Sequence, residues 1–209
     1  MSQKKIHKIN VDNLVYISKK LQKFEHFVFY GTLLGITREN NILKSDDDID
    51  FLINIDDKQN VLDIFKSSEK FLINKKVSNN YFVQLINKTE DIKTFVDFYF
   101  YINNENFEYI IEKHNFLSSI NLENKAIHIP KKLVFPIIKR NNFPMVNVPN
   151  KSVEACEFLY GSEWSKPLRK NSGYRMEIID NKPKLIKRSL IGSLTRRIKE
   201  FLNKNYKKD

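Results

Sequence analysis

The chain has 209 residues, of which 41% are hydrophobic, 12% aromatic and 29% charged, so a disordered chain is excluded and one domain, or one domain with an appendage, is expected. A single cysteine excludes a disulfide scaffold and any cysteine-rich zinc site, and no apolar run approaches the roughly 20 residues of a membrane-spanning helix. The net charge is +11, but ten basic and two acidic residues between 182 and 209 supply +8 of it, which leaves +3 for residues 1–181.

The first elements predicted along the chain are a helix, a buried strand and a short second helix. Apolar residues recur every three to five positions over residues 6–24, which is typical of an amphipathic helix with one face on the core. The apolar run 27–30 predicts a buried strand that ends at Gly31. Thr32 is then expected to cap a helix that reaches Arg38.

An acidic segment follows, and it predicts a metal site at the exposed end of a strand over residues 46–54. Alternate side chains of a strand share a face, so Asp46, Asp48 and Asp50 are expected to point the same way. Carboxylate oxygens in that number suit Mg²⁺, which is completed by substrate phosphates and water. The alternative is a solvated acidic turn before the strand.

Asp97 is the second chemical signal, because it interrupts an aromatic run that predicts a central strand over residues 94–102. An unpaired buried carboxylate costs on the order of several kcal/mol or has a raised pKa, so Asp97 needs a cation. The metal of the acidic segment could be that cation. Pairing with a Lys or Arg across the sheet is the alternative.

The other elements predict an α+β or mixed α/β fold. Asp56 or Asp57 is expected to cap a helix over residues 61–65, and strands are expected at 71–77 and 81–86. Residues 105–117 favour a helix, and short extended pieces are expected at 127–129, 133–138 and 145–148. Asn150 is a suitable N-cap for a further helix that Gly161 ends.

The basic tail predicts an amphipathic helix from Leu185 onward, because apolar residues recur every three to four positions among Lys and Arg. Such a helix is typical of a segment that lies on an anionic membrane leaflet. The alternative is a terminal helix docked on the protein's own core. The lysine-rich N-terminus has no apolar core after it, so no signal peptide and a cytoplasmic location are expected, with peripheral attachment to the inner face of the cytoplasmic membrane through the tail.

Three segments together resemble the LicD family, which is related to the fukutin group. Residues 30–38 read YGTLLGITR and residues 46–51 read DDDIDF, and they resemble the family's GTLLG-x-x-R and D-D-D-x-D segments. Residues 159–167 read LYGSEWSKP and resemble its closing Y-G-x-x-W-x-x-P motif. The resemblance implies a nucleotidyltransferase-like fold, with a mixed sheet flanked by helices, over residues 1–180 as the catalytic domain, and leaves 181–209 as the basic tail.

The resemblance also implies an activity: Mg²⁺-dependent transfer of a phospho-alcohol, such as phosphocholine or ribitol or glycerol phosphate, from a CDP-linked donor to a cell-surface glycan, which can be lipid-linked. The implied metal ligands, for Mg²⁺ or Mn²⁺, are four aspartates: Asp46, Asp48, Asp50 and Asp97. The implied catalytic residues are Asp48, Asp50 and Asp97, and Gly31, Thr32 and Arg38 would hold the donor phosphates.

Two other functions stay open. One is a nucleotidyltransferase that adds a nucleoside monophosphate to a sugar, an RNA or a protein, since it would use the same three acidic positions. The other is a non-catalytic adaptor tethered to a membrane by the basic tail. Nucleic acid is not an expected partner, because most of the positive charge lies in the tail and the acidic segment repels phosphates.

Overall fold

The centre of the fold is a seven-stranded mixed β-sheet with helices packed against it. The computed structural model describes residues 3–44, 46–89, 91–113, 126–168 and 174–187. The strands of the central sheet are β1 His26–Val28, β2 Asp48–Asn54, β3 Phe71–Ile73, β4 Phe82–Asn87, β5 Phe95–Asn103, β6 Tyr109–Glu112 and β7 Ile127–Pro130. The helices are α1 Gln3–Leu21, α2 Tyr30–Glu39, α3 Lys58–Lys66 (after a 3-10 turn, Ile55–Asp57), α4 Lys131–Val134 and α5 Ser152–Tyr160.

The strand order confirms the predicted α+β fold with a mixed sheet flanked by helices. The order is β1-β2-β5-β4-β3, and β6 pairs with β5 and β7. β2 and β5 run parallel, whereas the other pairs in this sheet are antiparallel. Two small ribbons complete the described residues: β8 Ile138–Lys139 with β9 Asn147–Val148, and β10 Tyr174–Ile179 with β11 Lys182–Lys187.

The two central strands divide their side chains between an apolar face and an acidic face. Phe51 and Phe98 are fully buried, and the Phe98 ring contacts the Phe65 ring of α3 with centroids 5.5 Å apart. Each fully buried side chain of this size contributes about 1.5–3 kcal/mol to folding. Because strand side chains alternate, the neighbours Asp50 and Asp97 lie on the opposite face. The apolar face therefore anchors the strands that carry the acids.

Helix α2 is pressed against the loop that follows it, and Gly35 is the point of contact. A Cβ at Gly35 would lie 2.7 Å from the Asn41 carbonyl oxygen and 2.7 Å from the Leu43 amide nitrogen. The chain turns back at Asn40, which has φ 55°. No side chain fits at position 35 unless the backbone moves.

We therefore expect Gly35→Ala to lower the free energy of unfolding by about 1–3 kcal/mol, which is typical of overpacking a tight interior. Urea unfolding followed by circular dichroism measures it. Glu39→Ala, on the exposed end of the same helix, is the control and should change the free energy of unfolding by less than about 0.5 kcal/mol. Equal midpoints for the two variants would contradict this packing.

Several predicted elements are wrong, and tertiary pairing explains two of them. The expected helix over 105–117 is replaced by β6, where Asn103 of β5 pairs with Ile110 and alternate residues are buried; residues 114–125 lie outside the described part. Residues 131–134 form the helical turn α4, although an extended piece was expected to begin at Leu133. The local sequence of these segments favours neither helix nor strand strongly, so sheet pairing and packing determine which of the two forms.

The predicted helix caps are also corrected. Thr32 does not cap α2, because the helix already begins at Tyr30, with Phe29 in the N-cap position. Asn150 does not cap α5 either: the N-cap is Lys151, and the Asn150 side-chain amide donates to the Phe135 carbonyl, 3.4 Å away. The end of α5 at Gly161 is confirmed, with φ 82° at that glycine.

The start of the predicted tail helix is wrong over residues 185–187, which belong to strand β11. β11 pairs with β10 through a turn at Asp180 and Asn181, so the expected domain boundary between 180 and 181 falls inside this hairpin. The His128 amide donates to the Asn181 carbonyl at 2.9 Å and ties the turn to β7. Residues 188–209, where the rest of the tail helix was expected, lie outside the described part. No helix among the described residues has the length and apolar character to span a bilayer.

Candidate active site

Three aspartates converge where β2 and β5 begin. In the parallel register Asp50 lies beside Asp97, and Asp48 lies two residues before Asp50 on the same face. One carboxylate oxygen from each of the three lies within 4.8 Å of the others. Asp50 and Asp97 are buried and Asp48 is half-buried. The predicted convergence of Asp48, Asp50 and Asp97 is thus present in the fold.

Asp46 adjoins this cluster from the loop before β2, not from the strand itself as expected. Its carbonyl oxygen accepts a hydrogen bond from the buried Asn10 side chain of α1 at 3.0 Å. A Cβ on Gly31 would lie 2.9 Å from Asp46 Oδ2 and 3.3 Å from Asp50 Oδ2. The absent side chain of Gly31 therefore leaves the space that these two carboxylates occupy.

The first turn of α2 is bound to Asp50. The Thr32 amide donates to Asp50 Oδ2 at 3.2 Å, and the Thr32 hydroxyl accepts from the Asp50 amide at 2.7 Å. The same hydroxyl lies 3.4 Å from Asp50 Oδ2 and donates to it. A carboxylate at a helix N-terminus is stabilised by the helix dipole. In this structure Thr32 holds Asp50 in place, and its binding of a donor phosphate stays a prediction.

The site is short of positive charge. Burial raises the pKa of Asp50 well above its ordinary value, and Asp48 and Asp97 raise it further. Burial likewise raises the pKa of Asp97 from 3.8 to about 7, although a hydrogen bond from Gln84 opposes the shift. Among the described residues Asp97 forms no ion pair with a Lys or Arg; its cross-strand neighbour is Gln84, whose Nε2 donates to Asp97 Oδ1 at 3.0 Å. A cluster of converging, mutually repelling oxygens fits a divalent cation.

Two buried tyrosines, a half-buried tyrosine and a further buried acid lie near the acidic cluster. The Tyr30 hydroxyl donates to Glu112 Oε2 at 2.7 Å, and the Tyr30 and Tyr99 ring centroids lie 4.8 Å apart. Burial raises the pKa of Tyr99, and Asp50 and Asp97 add to this shift. Burial, followed by Asp50, does the same to the pKa of Tyr160. These phenols stay protonated and keep a hydrogen-bond donor beside the acids.

A cavity of about 790 Å³ lies at the C-terminal end of α2, opposite Thr32, and none of the three converging aspartates lines it. Its wall includes Arg38, Tyr160 and Trp164, so the predicted closing motif contributes to it. Arg38 lies six residues beyond Thr32, which is about 9 Å along the helix axis. Its Nη2 donates to Glu39 Oε1 at 2.9 Å. The structure therefore does not bring Arg38 together with Gly31 and Thr32.

Sequence reasoning missed four residues of this site. Asn10 was missed because it lies beside the apolar stripe of α1. Glu112 was missed because it falls in a segment that was expected to be helical. Gln84 could have been identified from the sequence. It is a polar residue in the alternating pattern of β4, and β4 pairs with the strand that carries Asp97. Tyr160 belongs to the closing motif, but that motif did not indicate a function for it.

We expect Gly31→Ala to weaken Mn²⁺ binding about tenfold or more, because the new methyl group pushes the Asp46 and Asp50 carboxylates apart. The free energy of unfolding should change by less than about 1 kcal/mol, since a carboxylate can rotate away where a backbone cannot. Calorimetric titration of Mn²⁺ and urea unfolding separate the two effects. Unchanged Mn²⁺ affinity would remove Gly31 from the site.

The comparisons with known proteins agree with this geometry. The family model described as LicD/FKTN/FKRP, nucleotidyltransferase domain, matches residues 23–151, which include α2 and the three converging aspartates. A search of curated proteins finds no match. Since the matched segment covers more than half of the chain, this protein belongs to the LicD/FKTN/FKRP family, and that membership points to a transferase.

Proposed function

We propose that this protein moves a phospho-alcohol, such as phosphocholine or ribitol or glycerol phosphate, from a CDP-linked donor to a glycan acceptor. The observation that carries the proposal is the convergence of Asp48, Asp50 and Asp97 within 4.8 Å in a chain of this family. Buried carboxylates at this spacing repel one another unless a cation lies between them. The reaction needs such a cation, because its substrate is a diphosphate.

Asp48, Asp50 and Asp97, with Asp46 beside them, would hold Mg²⁺ or Mn²⁺. When bound, the ion neutralises negative charge on the donor diphosphate and on the departing CMP. Thr32 fixes Asp50 through two backbone-to-side-chain hydrogen bonds, and Gln84 fixes Asp97 through one side-chain hydrogen bond. These supports keep the carboxylates in position before any ligand arrives, which lowers the cost of binding.

In the proposed reaction an acceptor hydroxyl oxygen forms a bond to the phosphorus that carries the alcohol. The bond from that phosphorus to the bridging oxygen breaks, and CMP leaves with the electron pair. The hydroxyl proton passes to a carboxylate, Asp50 or Asp97.

The test is a measurement of CMP release from CDP-choline, CDP-ribitol and CDP-glycerol, with Mg²⁺ or with EDTA, beside AMP and UMP transfer from ATP and UTP. We expect Mg²⁺-dependent CMP release from at least one CDP-alcohol and no nucleotide transfer from the triphosphates. Transfer of AMP or UMP alone would replace the proposal with a nucleotidyltransferase. No turnover of any donor, together with no Mg²⁺ binding, would support the adaptor.

We also propose an anionic membrane surface as a partner, reached through the basic tail, which would place the enzyme on the cytoplasmic face. What supports this is the charge of +8 within residues 182–209. Replacing Arg196, Arg197 and Lys199 with glutamine in the full chain should weaken co-sedimentation with phosphatidylglycerol vesicles, because each basic residue near such a surface contributes about 1 kcal/mol. Lys66→Gln, on α3, is the control, and equal binding by both proteins would refute this partner.

A further inference from the structure

The segment between β7 and α5 is the second place where the chain concentrates positive charge. Residues 131–151, which we name the basic lobe, contain five Lys and Arg and no Asp or Glu. The +5 of this lobe and the +8 of the tail exceed the +11 of the whole chain, which leaves −2 for all the other residues. The net positive charge of the protein is therefore confined to these two segments.

The basic lobe is a closed unit that is fixed to the central sheet. It begins with α4 and contains the ribbon of β8 and β9. Its two ends meet, because the Asn150 amide donates to the Val134 carbonyl at 3.0 Å. The Asn147 side chain donates to the His26 carbonyl of β1 at 3.2 Å. The lobe thus holds a defined surface on the outside of the fold.

The tip of this ribbon holds two large apolar side chains out of the core. Burial alternates along residues 143–148: Pro144, Val146 and Val148 are buried, whereas Phe143 is 59% exposed and Met145 is 61% exposed. These two are the most exposed large apolar side chains in the described part of the chain. The buried residues anchor the backbone, so the exposed pair cannot fold back onto the core. Exposed apolar side chains that lie together mark an interaction surface.

Two cationic side chains stand next to the apolar tip. Lys139 is exposed on β8, and the amide of the next residue, Arg140, donates to the Val146 carbonyl at 2.9 Å, directly across the ribbon from the tip. Neither cation forms an ion pair with a described residue. Glu39, at the end of α2 that Arg140 approaches, pairs with Arg38. The positive charge beside the tip is therefore not neutralised by the described part of the protein.

An anionic lipid surface matches both halves of this arrangement. Lys and Arg draw a protein to the negative charge of the leaflet, and apolar side chains beside them enter the boundary between headgroups and acyl chains. A nucleic acid backbone would pair with the cations alone. The exposed apolar tip is thus the feature that favours a lipid surface over other anions.

We propose that the basic lobe is a membrane contact in which Phe143 and Met145 enter an anionic leaflet while Lys139 and Arg140 bind its headgroups. This contact goes beyond the membrane partner proposed for the tail, and it depends neither on the tail nor on the proposed reaction. A tail alone would tether the protein to the surface. A second contact on the folded body would also fix the orientation of that body on the membrane.

Tryptophan fluorescence tests the insertion directly, because the chain has a single tryptophan, Trp164, that can be replaced. In the full chain with Trp164→Phe, the emission of Phe143→Trp should shift to shorter wavelength on phosphatidylglycerol vesicles. Lipids brominated on their acyl chains should quench it. Leu72→Trp in the same background is the matched control, since Leu72 is 58% exposed on β3, and its emission should show neither effect.

Co-sedimentation of proteins that keep Trp164 is the second measurement. The double variant Phe143→Ser, Met145→Ser should bind phosphatidylglycerol vesicles at least about tenfold more weakly than the wild type, because the apolar contact is lost. Lys139→Gln should bind about fivefold more weakly. Leu72→Ser should bind as the wild type does, and all these variants should keep the same affinity for Mn²⁺.

The outcomes separate the lobe from the tail. The glutamine variant of the tail should still show the shift of Phe143→Trp at saturating lipid. Unchanged Phe143→Trp emission on vesicles that do bind the protein would leave the tail as the contact and overturn the lobe. Self-association of the wild type that the double serine variant abolishes, without a change in vesicle binding, would assign the tip to a second copy of the chain and overturn it too.

Discussion

Asp97→Asn is expected to lower turnover of the CDP-alcohol substrate by at least about 1,000-fold, because the proposed reaction depends on a complete set of metal ligands. The new side-chain amide would offer one neutral oxygen where a carboxylate stood, and it could not take up the proton of the acceptor hydroxyl. The substitution keeps the size of the side chain, and Gln84 can still donate to the remaining oxygen. Loss of activity would then result from the loss of the carboxylate and not from a change in the structure.

The same substitution should leave the metal-free protein at least as stable as the wild type near pH 8. The raised pKa of Asp97, caused first by burial, means that its ionised form costs folding energy there. Removing the charge is expected to raise the free energy of unfolding by about 1–3 kcal/mol. Asp63→Asn, an exposed acid on α3, should alter neither turnover nor stability appreciably. Full turnover by Asp97→Asn would sink the assignment of this site.

Metal affinity should rise steeply as the pH increases through about 7. The pKa of Asp97 is 3.8 in the unfolded chain and about 7 in the metal-free fold, so between these values the folded protein binds more protons than the unfolded chain. The contribution of Asp97 to stability is therefore full below about pH 3.8 and is lost as the pH rises through about 7. Metal affinity follows the opposite trend and rises with pH, because the ion binds the Asp97 carboxylate only after its proton has left.

Calorimetric titration of Mn²⁺ between about pH 5.5 and 8.5 measures this linkage, and two buffers with different ionisation enthalpies report the protons released. We expect the affinity to change about tenfold or more per pH unit below about pH 7, because Asp97 and Asp50, which both have raised pKa values, release protons when Mn²⁺ binds. At about 100 times the dissociation constant, bound Mn²⁺ should stabilise the protein by about 2.7 kcal/mol. Asp97→Asn should bind weakly with a flatter pH profile. An affinity that stays constant over this pH range would contradict a buried carboxylate ligand.

The acidic centre was predictable from local patterns. Asp48 and Asp50 sit two residues apart at the start of a strand, and Asp97 stands in an aromatic one. Strand alternation alone places the first pair on one face, and the cost of burying Asp97 alone requires a cation. The parallel register that sets Asp50 beside Asp97 adds the contact that neither segment specifies.

Other features depend on contacts between distant segments, and local sequence could not reveal them. Glu112 was hidden because β6 has no strong strand pattern of its own and forms by pairing with β5. Thr32 looked like a helix cap, yet its hydroxyl binds Asp50, 18 residues away. The hairpin of β10 and β11 likewise replaced the start of an expected helix, since six register pairs outweigh a short amphipathic pattern.

The sequence by itself determined the fold class, the family and the acids at the centre of the site, because strand periodicity, burial cost and motif spacing are local properties of the chain. Only the tertiary structure decided what surrounds those acids. Packing of α2 against its own loop and beside α5 places Arg38 in the wall of a cavity with Tyr160 and Trp164. Each residue of a helix adds about 1.5 Å along its axis, so Thr32 and Arg38, which belong to one motif, lie in two separate regions of the structure.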